Sequence, residues 1–254
     1  MAYCLFNLFW GMNYNRPGLP QQLGIRLRHP ERQELLRLNK DLLDSVNRLS
    51  AMKLDSPLNA DDHYQKARLS FSSLTKRETW LHTHEPVIRS SYFGWVGRIA
   101  GFTGYYNPFT AESNIVEDIP LWMRPFVACH ELAHQWGYAR EMEANMLGFM
   151  AAAHSDDPTL QYAAYLEMFL YANRNLSILD SAAAKQIRRQ LTEQPVQHLK
   201  EWGTYLRQNR SFLEPLFTRW YDLFLKSNQQ PQGMGSYGEV TAFLISYRLR
   251  YGHY

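Results

Sequence analysis

Two histidines stand four residues apart in the stretch HELAH, and a glutamate directly follows the first of them. The three residues are His130, Glu131 and His134. Residues four apart on an α-helix lie on the same face, so both imidazoles can bind one metal ion. Glu131 projects to the side of that face, where it can reach a water molecule on the metal. This H-E-x-x-H arrangement predicts zinc-assisted hydrolysis with the glutamate as general base.

A third metal ligand is expected from a second helix. Catalytic zinc usually takes three protein ligands and keeps one position open. Gly137 is suited to end the first helix in a left-handed turn, and a second apolar stretch with Glu141 and Glu143 follows directly. We favour Glu141 as the third ligand because it would face His134 from the first turn of the second helix. Glu143 is the alternative.

The residues that follow the predicted ligands are suited to support them. Asn145 lies one helical turn after Glu141, from where it can hydrogen-bond a metal ligand. Gly148 and Ala152 continue the same stripe, and their small size would let this helix approach another helix closely. Glu143 lies on a different stripe, which makes it the less favoured ligand.

Cleavage of a peptide also needs groups that contact the substrate. A hydrogen-bond donor should stabilise the oxyanion, a contribution of about 3 kcal/mol in comparable sites. Three tyrosines after the motif are the candidates, and the sequence does not choose among them: Tyr165, Tyr171 and Tyr237. The segment GYYNPFT can form an edge strand, which would pair either with an extended peptide or only within the domain.

The elements that must position these residues are mainly helical. Apolar residues recur at spacings of three and four, and glycine or proline marks most of the breaks. Helices are predicted over residues 29–52, 56–74, 120–136, 140–154, 159–176, 181–193, 196–209, 213–227 and 237–251. Residues 86–118 are rich in glycine and aromatic residues, which predicts short extended segments and a small sheet near 100–117. The predicted fold class is therefore mainly α with a small β-sheet (α+β).

The composition is that of an ordinary globular protein and narrows the range of partners. The 254 residues are 45% hydrophobic and 20% charged, which allows a large core. The formal net charge is +3 without a long run of like charge, so nucleic acid is not expected as a main partner. We expect no disulfide between Cys4 and Cys129, because Cys129 lies in an apolar helical stripe and is interpreted as a small buried residue.

The start of the chain has two interpretations. About ten apolar and aromatic residues come first, too few to cross a bilayer, and they lack the basic region of a signal peptide. They could form a buried segment of the domain. They could instead be the end of a membrane span, with Trp10 and Tyr14 at the interface and Arg16 beyond it.

The motifs HELAH and EMEAN resemble those of the gluzincin group of zinc metallopeptidases. In that group a second helix supplies a glutamate ligand, and an Asp or Asn follows it four residues later. The resemblance implies a zincin-like core, with Glu141 as ligand and Asn145 behind it. The chain departs from better-known members because a very short turn joins its two helices, which keeps Glu143 open as a ligand.

Four longer stretches are similar to a bacterial family of membrane proteins whose reaction is not established. They are WGMNYNRP, GYYNPFTAESNIV, HELAHQWGYAREMEAN and YAAYLEMFLYANRNL. The resemblance implies that Tyr3–Gly11 ends a membrane span, with residues 1–18 as span end and juxtamembrane segment. Residues 19–254 would form a zincin-like metallopeptidase domain. A bacterial, membrane-anchored protein with its domain on the periplasmic side is therefore expected.

These observations together predict a membrane-tethered, zinc-dependent peptidase that acts on a peptide or protein substrate. One alternative is a non-catalytic metal-binding membrane protein with a binding or regulatory role, and another is an interaction scaffold with a vestigial site. Glu131 argues against both, since a structural metal site needs no base beside its first ligand. Nothing in the sequence identifies the substrate.

Overall fold

Helices form most of the chain in the computed structural model, which describes residues 8–52, 60–209, 219 and 237–252. A short 3-10 helix, Gly11–Asn15, comes first. The α-helices in chain order are α1 (Leu19–Gln22), α2 (Arg32–Ser50), α3 (Ala60–Arg77), α4 (Gly94–Ala100), α5 (Arg124–Gln135), α6 (Glu141–Ala153), α7 (Pro158–Leu179), α8 (Ser181–Arg188), α9 (Glu193–Gln208) and α10 (Tyr237–Tyr251). The predicted fold class is confirmed.

Three short strands form one small sheet against the helices. They are β1 (Ile88–Ser90), β2 (Gly104–Asn107) and β3 (Glu112–Ile115), in the spatial order β1-β3-β2. β1 runs parallel to β3 with Ile88 opposite Ser113, and β2 runs antiparallel to β3. β2 therefore lies at an edge of the sheet, as predicted for the segment GYYNPFT.

The core is formed where α7 packs along α2 and α6 packs on α5. α2 buries one apolar stripe throughout its length, and this stripe consists of Leu35, Leu38, Leu42, Val46 and Leu49. A fully buried Leu or Val side chain stabilises a fold by roughly 1.5–3 kcal/mol. α7 also contacts α6, so the helices that carry the predicted site are held by the main core.

One helix was not expected from the sequence. The glycine-rich stretch near residue 97 was predicted to be extended, but Gly94–Ala100 is the helix α4. Gly97 packs directly on Val116, where an added Cβ would lie 2.6 Å from Val116 Cγ2. The glycine allows helix and chain to approach closely, and this tertiary contact overrides the local strand preference. The helix predicted over 213–227 lies outside the described residues except for residue 219.

The prediction of a bacterial membrane anchor with a periplasmic domain is wrong. No helix formed by the described residues is long and apolar enough to cross a bilayer. Trp10 and Tyr14, expected at a membrane interface, are buried instead and pack with Ala139 and Tyr106. Residues 1–7, which include part of the expected span end, lie outside the described residues.

A buried histidine on α3 gives the fold a dependence on pH. His63 is buried, and neither ring nitrogen has a hydrogen-bond partner among the described residues. Burial lowers the pKa of His63, and the charges of Arg124 and Lys66 lower it further. The unfolded chain therefore takes up a proton near pH 6.5 while the folded chain does so only at lower pH. We expect the free energy of unfolding to fall as the pH drops below about 6.5.

Urea unfolding between pH 5 and 7 measures this effect. His63→Leu keeps an apolar side chain of similar size and should flatten the dependence of the unfolding free energy on pH. His29→Leu is the control, because His29 is exposed and its replacement should leave the dependence unchanged. A His63→Leu curve that runs parallel to that of the wild type would contradict the assignment.

Candidate metal centre

α5 is fixed on the sheet by hydrogen bonds around Glu131. The hydroxyl of Ser113 on β3 donates to the backbone oxygen of Glu131 at 2.8 Å. Gln135 Nε2 donates to the Ser113 hydroxyl at 2.8 Å, and its Oε1 accepts from Val87 N at 3.0 Å. Cys129 is a free, buried thiol on the opposite face, as predicted, and burial raises its pKa to about 12. The sheet on one side of α5 and the core on the other therefore fix the orientation of the face that carries the two histidines.

Gly137 reverses the chain between the two helices, as predicted. Its φ is +82°, and its N–H donates to the carbonyl of His134 at 2.8 Å. Left-handed geometry favours glycine at the end of a helix. A Cβ at this position would also lie 2.1 Å from Arg16 Nη1. α6 then packs back on α5 so closely that a Cβ on Gly148 would lie 3.0 Å from His130 N.

The turn brings His130, His134 and Glu141 together. Glu141 Oε2 lies 3.3 Å from His130 Nε2 and 4.0 Å from His134 Nε2. One ligand atom of each residue lies within 4.8 Å of the others, so the three residues are close enough to hold a metal ion. Two ligands of a tetrahedral zinc ion, each 2.0–2.1 Å from it, lie about 3.3 Å apart. The pair His130–Glu141 matches that spacing, while His134 lies slightly further away.

Hydrogen bonds on the far side of each ring orient the two imidazoles. Asn145 Nδ2 donates to the backbone oxygen of Glu141 at 2.8 Å, which leaves Asn145 Oδ1 to accept from His130 Nδ1 at 3.1 Å. His134 Nδ1 donates to the backbone oxygen of Tyr138 at 2.7 Å. With one proton held on Nδ1, a neutral ring offers its Nε2 lone pair to a metal ion. The expected support from Asn145 is therefore present.

Glu131 is buried beside the three ligand residues and is not one of them. Burial raises its pKa to about 8, and the charge of His130 opposes this rise. The carboxyl packs against Gly104 of β2, where an added Cβ would lie 2.8 Å from Glu131 Oε1. Only glycine at this position leaves room for the carboxyl between the helix and the edge strand.

Glu143 does not belong to the cluster of His130, His134 and Glu141 and has other partners. Its Oε1 accepts from Leu19 N at 3.2 Å and from Arg140 Nη1 at 3.3 Å. Arg140 Nη2 also donates to the backbone oxygen of Tyr14 at 3.1 Å, and Arg16 Nη1 donates to that of Trp136 at 3.1 Å. Of the two acids that the sequence left open, Glu141 lies in the cluster with His130 and His134, and Glu143 instead ties the N-terminal segment to α6.

The side chains of the tyrosines proposed to stabilise an oxyanion lie in different surroundings. The hydroxyl of Tyr171 donates to Asn145 Oδ1 at 3.3 Å, so it lies behind His130. The ring of Tyr165 packs edge-to-face with Phe149 at a centroid distance of 5.3 Å. The side chain of Tyr237 lies outside the part of the chain that the structure describes. Of the two described tyrosines, Tyr171 supports Asn145 behind His130, and Tyr165 packs on Phe149.

Sequence reasoning missed two groups near the site. Glu167 lies one helical turn before Tyr171 and is hydrogen-bonded to it. Burial raises the pKa of Glu167 to about 7, while Tyr171 and the charge of His130 lower it. In the sequence, Glu167 and Tyr171 stand four residues apart and therefore lie on one helical face. This spacing could have revealed the pair. The second group is Trp10, whose ring centroid lies 6.0 Å from that of His134 and 4.6 Å from that of Tyr106.

We expect metal binding to release protons, because His130 is protonated at neutral pH when no metal is bound. Burial alone would lower its pKa, but the hydrogen bond and charge of Glu141 and the charge of Glu131 raise it to about 9. An imidazole must be neutral to bind a metal ion, so about one proton should leave His130 for each ion bound at pH 7. Affinity should then rise with pH until about pH 9.

Calorimetric titration of zinc in two buffers of different ionisation enthalpy measures the number of protons released. His130→Ala provides the comparison, because removal of the ring removes the proton that it would release along with its share of the affinity. Zinc binding at pH 7 without proton release would contradict the pairing of His130 with Glu141.

The fold and the site together define a mainly helical protein with a candidate His-His-Glu metal centre beside a buried carboxyl. Residues 1–245 match the model of a family described as Protein of unknown function (DUF3810). The chain belongs to this family. No curated protein and no solved structure matches it.

Proposed function

We propose that the protein is a zinc-dependent peptidase of the gluzincin type. His130, His134 and Glu141 would hold the zinc ion, and Glu131 would act as general base. The observation that carries this proposal is the position of Glu131, a buried carboxyl next to three converging ligand atoms and outside their set. A site that held metal only for structure would have no use for such a group.

The donor set supports zinc in preference to other common ions. Two imidazole nitrogens and one carboxylate oxygen are a ligand set used by catalytic zinc sites, whereas calcium and magnesium prefer oxygen ligands alone. A bound Zn²⁺ would polarise a substrate carbonyl and lower the pKa of a water molecule to about 7. The oriented rings of His130 and His134 are prepared for this role before any ion arrives, since each Nδ1 already has its own acceptor.

Glu131 would move the proton that hydrolysis requires. Its carboxylate would accept a proton from the attacking water and pass it to the leaving amine. A general base works best with a pKa near the working pH, and burial raises the pKa of Glu131 to about 8. The contact with Gly104 fixes the carboxyl between α5 and β2, on the side where a substrate would lie.

The edge strand supports a peptide as the substrate. β2 has β3 on one side only, so its other side can pair with an extended chain. Gly104 and Tyr106 are two residues apart and so project to the same face. Gly104 contacts Glu131 and Tyr106 contacts Trp10, which lies against His134. A peptide on this edge would have its scissile bond near Glu131 and an apolar wall of Trp10 and Tyr106 beside it.

Cleavage of a mixed peptide library by the purified protein tests the proposal. After loading with zinc, mass spectrometry should find cleaved peptides that are absent after treatment with 1,10-phenanthroline and that return when zinc is added back. Large apolar residues should be enriched beside the cleaved bond. Stoichiometric zinc binding without any cleavage would overturn the peptidase and favour a non-catalytic metal-binding protein.

A further inference from the structure

A cavity lies where α8 ends and α9 begins, and it is lined by residues of both helices and their connection. Its volume is about 370 Å³, near the lower end of the range of about 300–1,000 Å³ for small-molecule sites. Its lining combines apolar and basic side chains. The lining residues are Lys185, Arg188, Arg189, Leu191, Val196, Leu199 and Lys200.

Four cations line the cavity, Lys185, Arg188, Arg189 and Lys200, and they have no counter-charge in it. No acidic residue lines it, and none of the four forms an ion pair with another residue in the described part of the chain. Cations in the last turn of a helix are favoured by the helix dipole, which accounts for Lys185 and Arg188 on α8. It does not account for Lys200, which lies in the middle of α9. Like charges repel, so a cluster from two helices favours an anion between them.

Apolar side chains give the cavity a second requirement. Leu191 is buried, Val196 and Leu199 on α9 are half-buried, and all three line the cavity. A bare inorganic anion would contact the cations and leave the exposed parts of Val196 and Leu199 in water. A ligand with an apolar part would cover them and so gain from the burial of apolar surface.

We propose that this cavity binds a small phosphate monoester with an apolar body. The phosphate would lie among the four cations, where the guanidinium groups of Arg188 and Arg189 can each bind it through two hydrogen bonds. The apolar body would lie on Leu191, Val196 and Leu199. The site uses none of the metal-centre residues, so it stands whether or not the chain is a peptidase.

Binding of hexyl phosphate, followed by the methyl NMR signals of Leu191, Val196 and Leu199, tests the proposal. Inorganic phosphate and 1-hexanol serve as probes that carry only the charge or only the apolar body. We expect hexyl phosphate to bind at least about tenfold more tightly than either. Raising the salt concentration from about 0.05 to 0.5 M should weaken its binding, because the cations are exposed and screened by salt.

The double variant Arg188→Gln/Lys200→Gln removes one cation from each helix and should raise the Kd of hexyl phosphate at least about tenfold. The control is Lys76→Gln/Arg77→Gln, which removes two exposed cations from the last turn of α3. It should leave the Kd unchanged. Three results would each overturn the proposal: no methyl shifts, equal binding by the double variant, or inorganic phosphate binding as tightly as hexyl phosphate.

Discussion

Replacement of Glu131 by Gln is expected to lower kcat for peptide cleavage by about 10²–10⁴-fold, the range that general acid–base catalysis contributes. The amide has nearly the same shape as the carboxyl but cannot accept a proton from water. Glu131 is not among the three clustered ligand residues, so the variant should bind zinc as tightly as the wild type. Steady-state cleavage of a peptide found in the library screen, with zinc content measured in parallel, separates the two effects.

Two further variants test whether the loss of kcat is specific to the carboxyl of Glu131. Glu167→Gln also removes a buried carboxyl near His130, but that carboxyl bonds to Tyr171 behind the ligands, so kcat should change far less. Gly104→Ala leaves Glu131 intact and places a methyl group 2.8 Å from its Oε1, so it should reproduce part of the loss by displacing the carboxyl. Full activity in Glu131→Gln would end its assignment as general base.

Replacement of Glu141 by Gln should lower the affinity for zinc by at least about a hundredfold. Loss of a residue that only supports a ligand already costs about 10–100-fold, and Glu141 supplies both a ligand atom and the only negative charge of the triad. Competition with a chromogenic chelator measures the zinc affinity of purified protein. Activity should disappear at zinc concentrations that saturate the wild type and return in part at higher concentrations.

Glu143→Gln is the matched control for Glu141, because both acids lie in the first turn of α6. Glu143 bonds to Leu19 and Arg140, so its replacement should lower the melting temperature and leave zinc affinity near the wild-type value. A weaker affinity in Glu143→Gln than in Glu141→Gln would reverse the assignment of the third ligand.

The sequence was sufficient for those parts of the site that depend on local geometry. His130 and His134 are related by one helical turn, and Glu141 and Asn145 by another, so helical periodicity alone places each pair. Gly137 marks the reversal because few other residues tolerate its left-handed conformation. The stretch from His130 to Asn145 is shorter than twenty residues, and one turn between α5 and α6 is enough to bring these side chains together.

Features set by distant parts of the chain could not be predicted. Glu143 could be excluded only once its bond to Leu19, 124 residues earlier, was known. Trp10 looked suited to a membrane interface because an aromatic ring has the same apolar body wherever it is buried, and its contact with His134 has no sequence signature. Gly97 suggested a break in a strand, while its close approach to Val116 allows a helix.

The N-terminal segment contacts α5, the turn that follows it and α6. These contacts are made by Trp10 to His134, by Arg16 to Trp136 and by Leu19 to Glu143. A metal ion bound by His130, His134 and Glu141 would therefore be thermodynamically coupled to the anchoring of this segment, although more than a hundred positions separate them along the chain. Substitutions near the start of the chain would then change the metal affinity or the reactivity of the centre while His130, His134 and Glu141 stay the same.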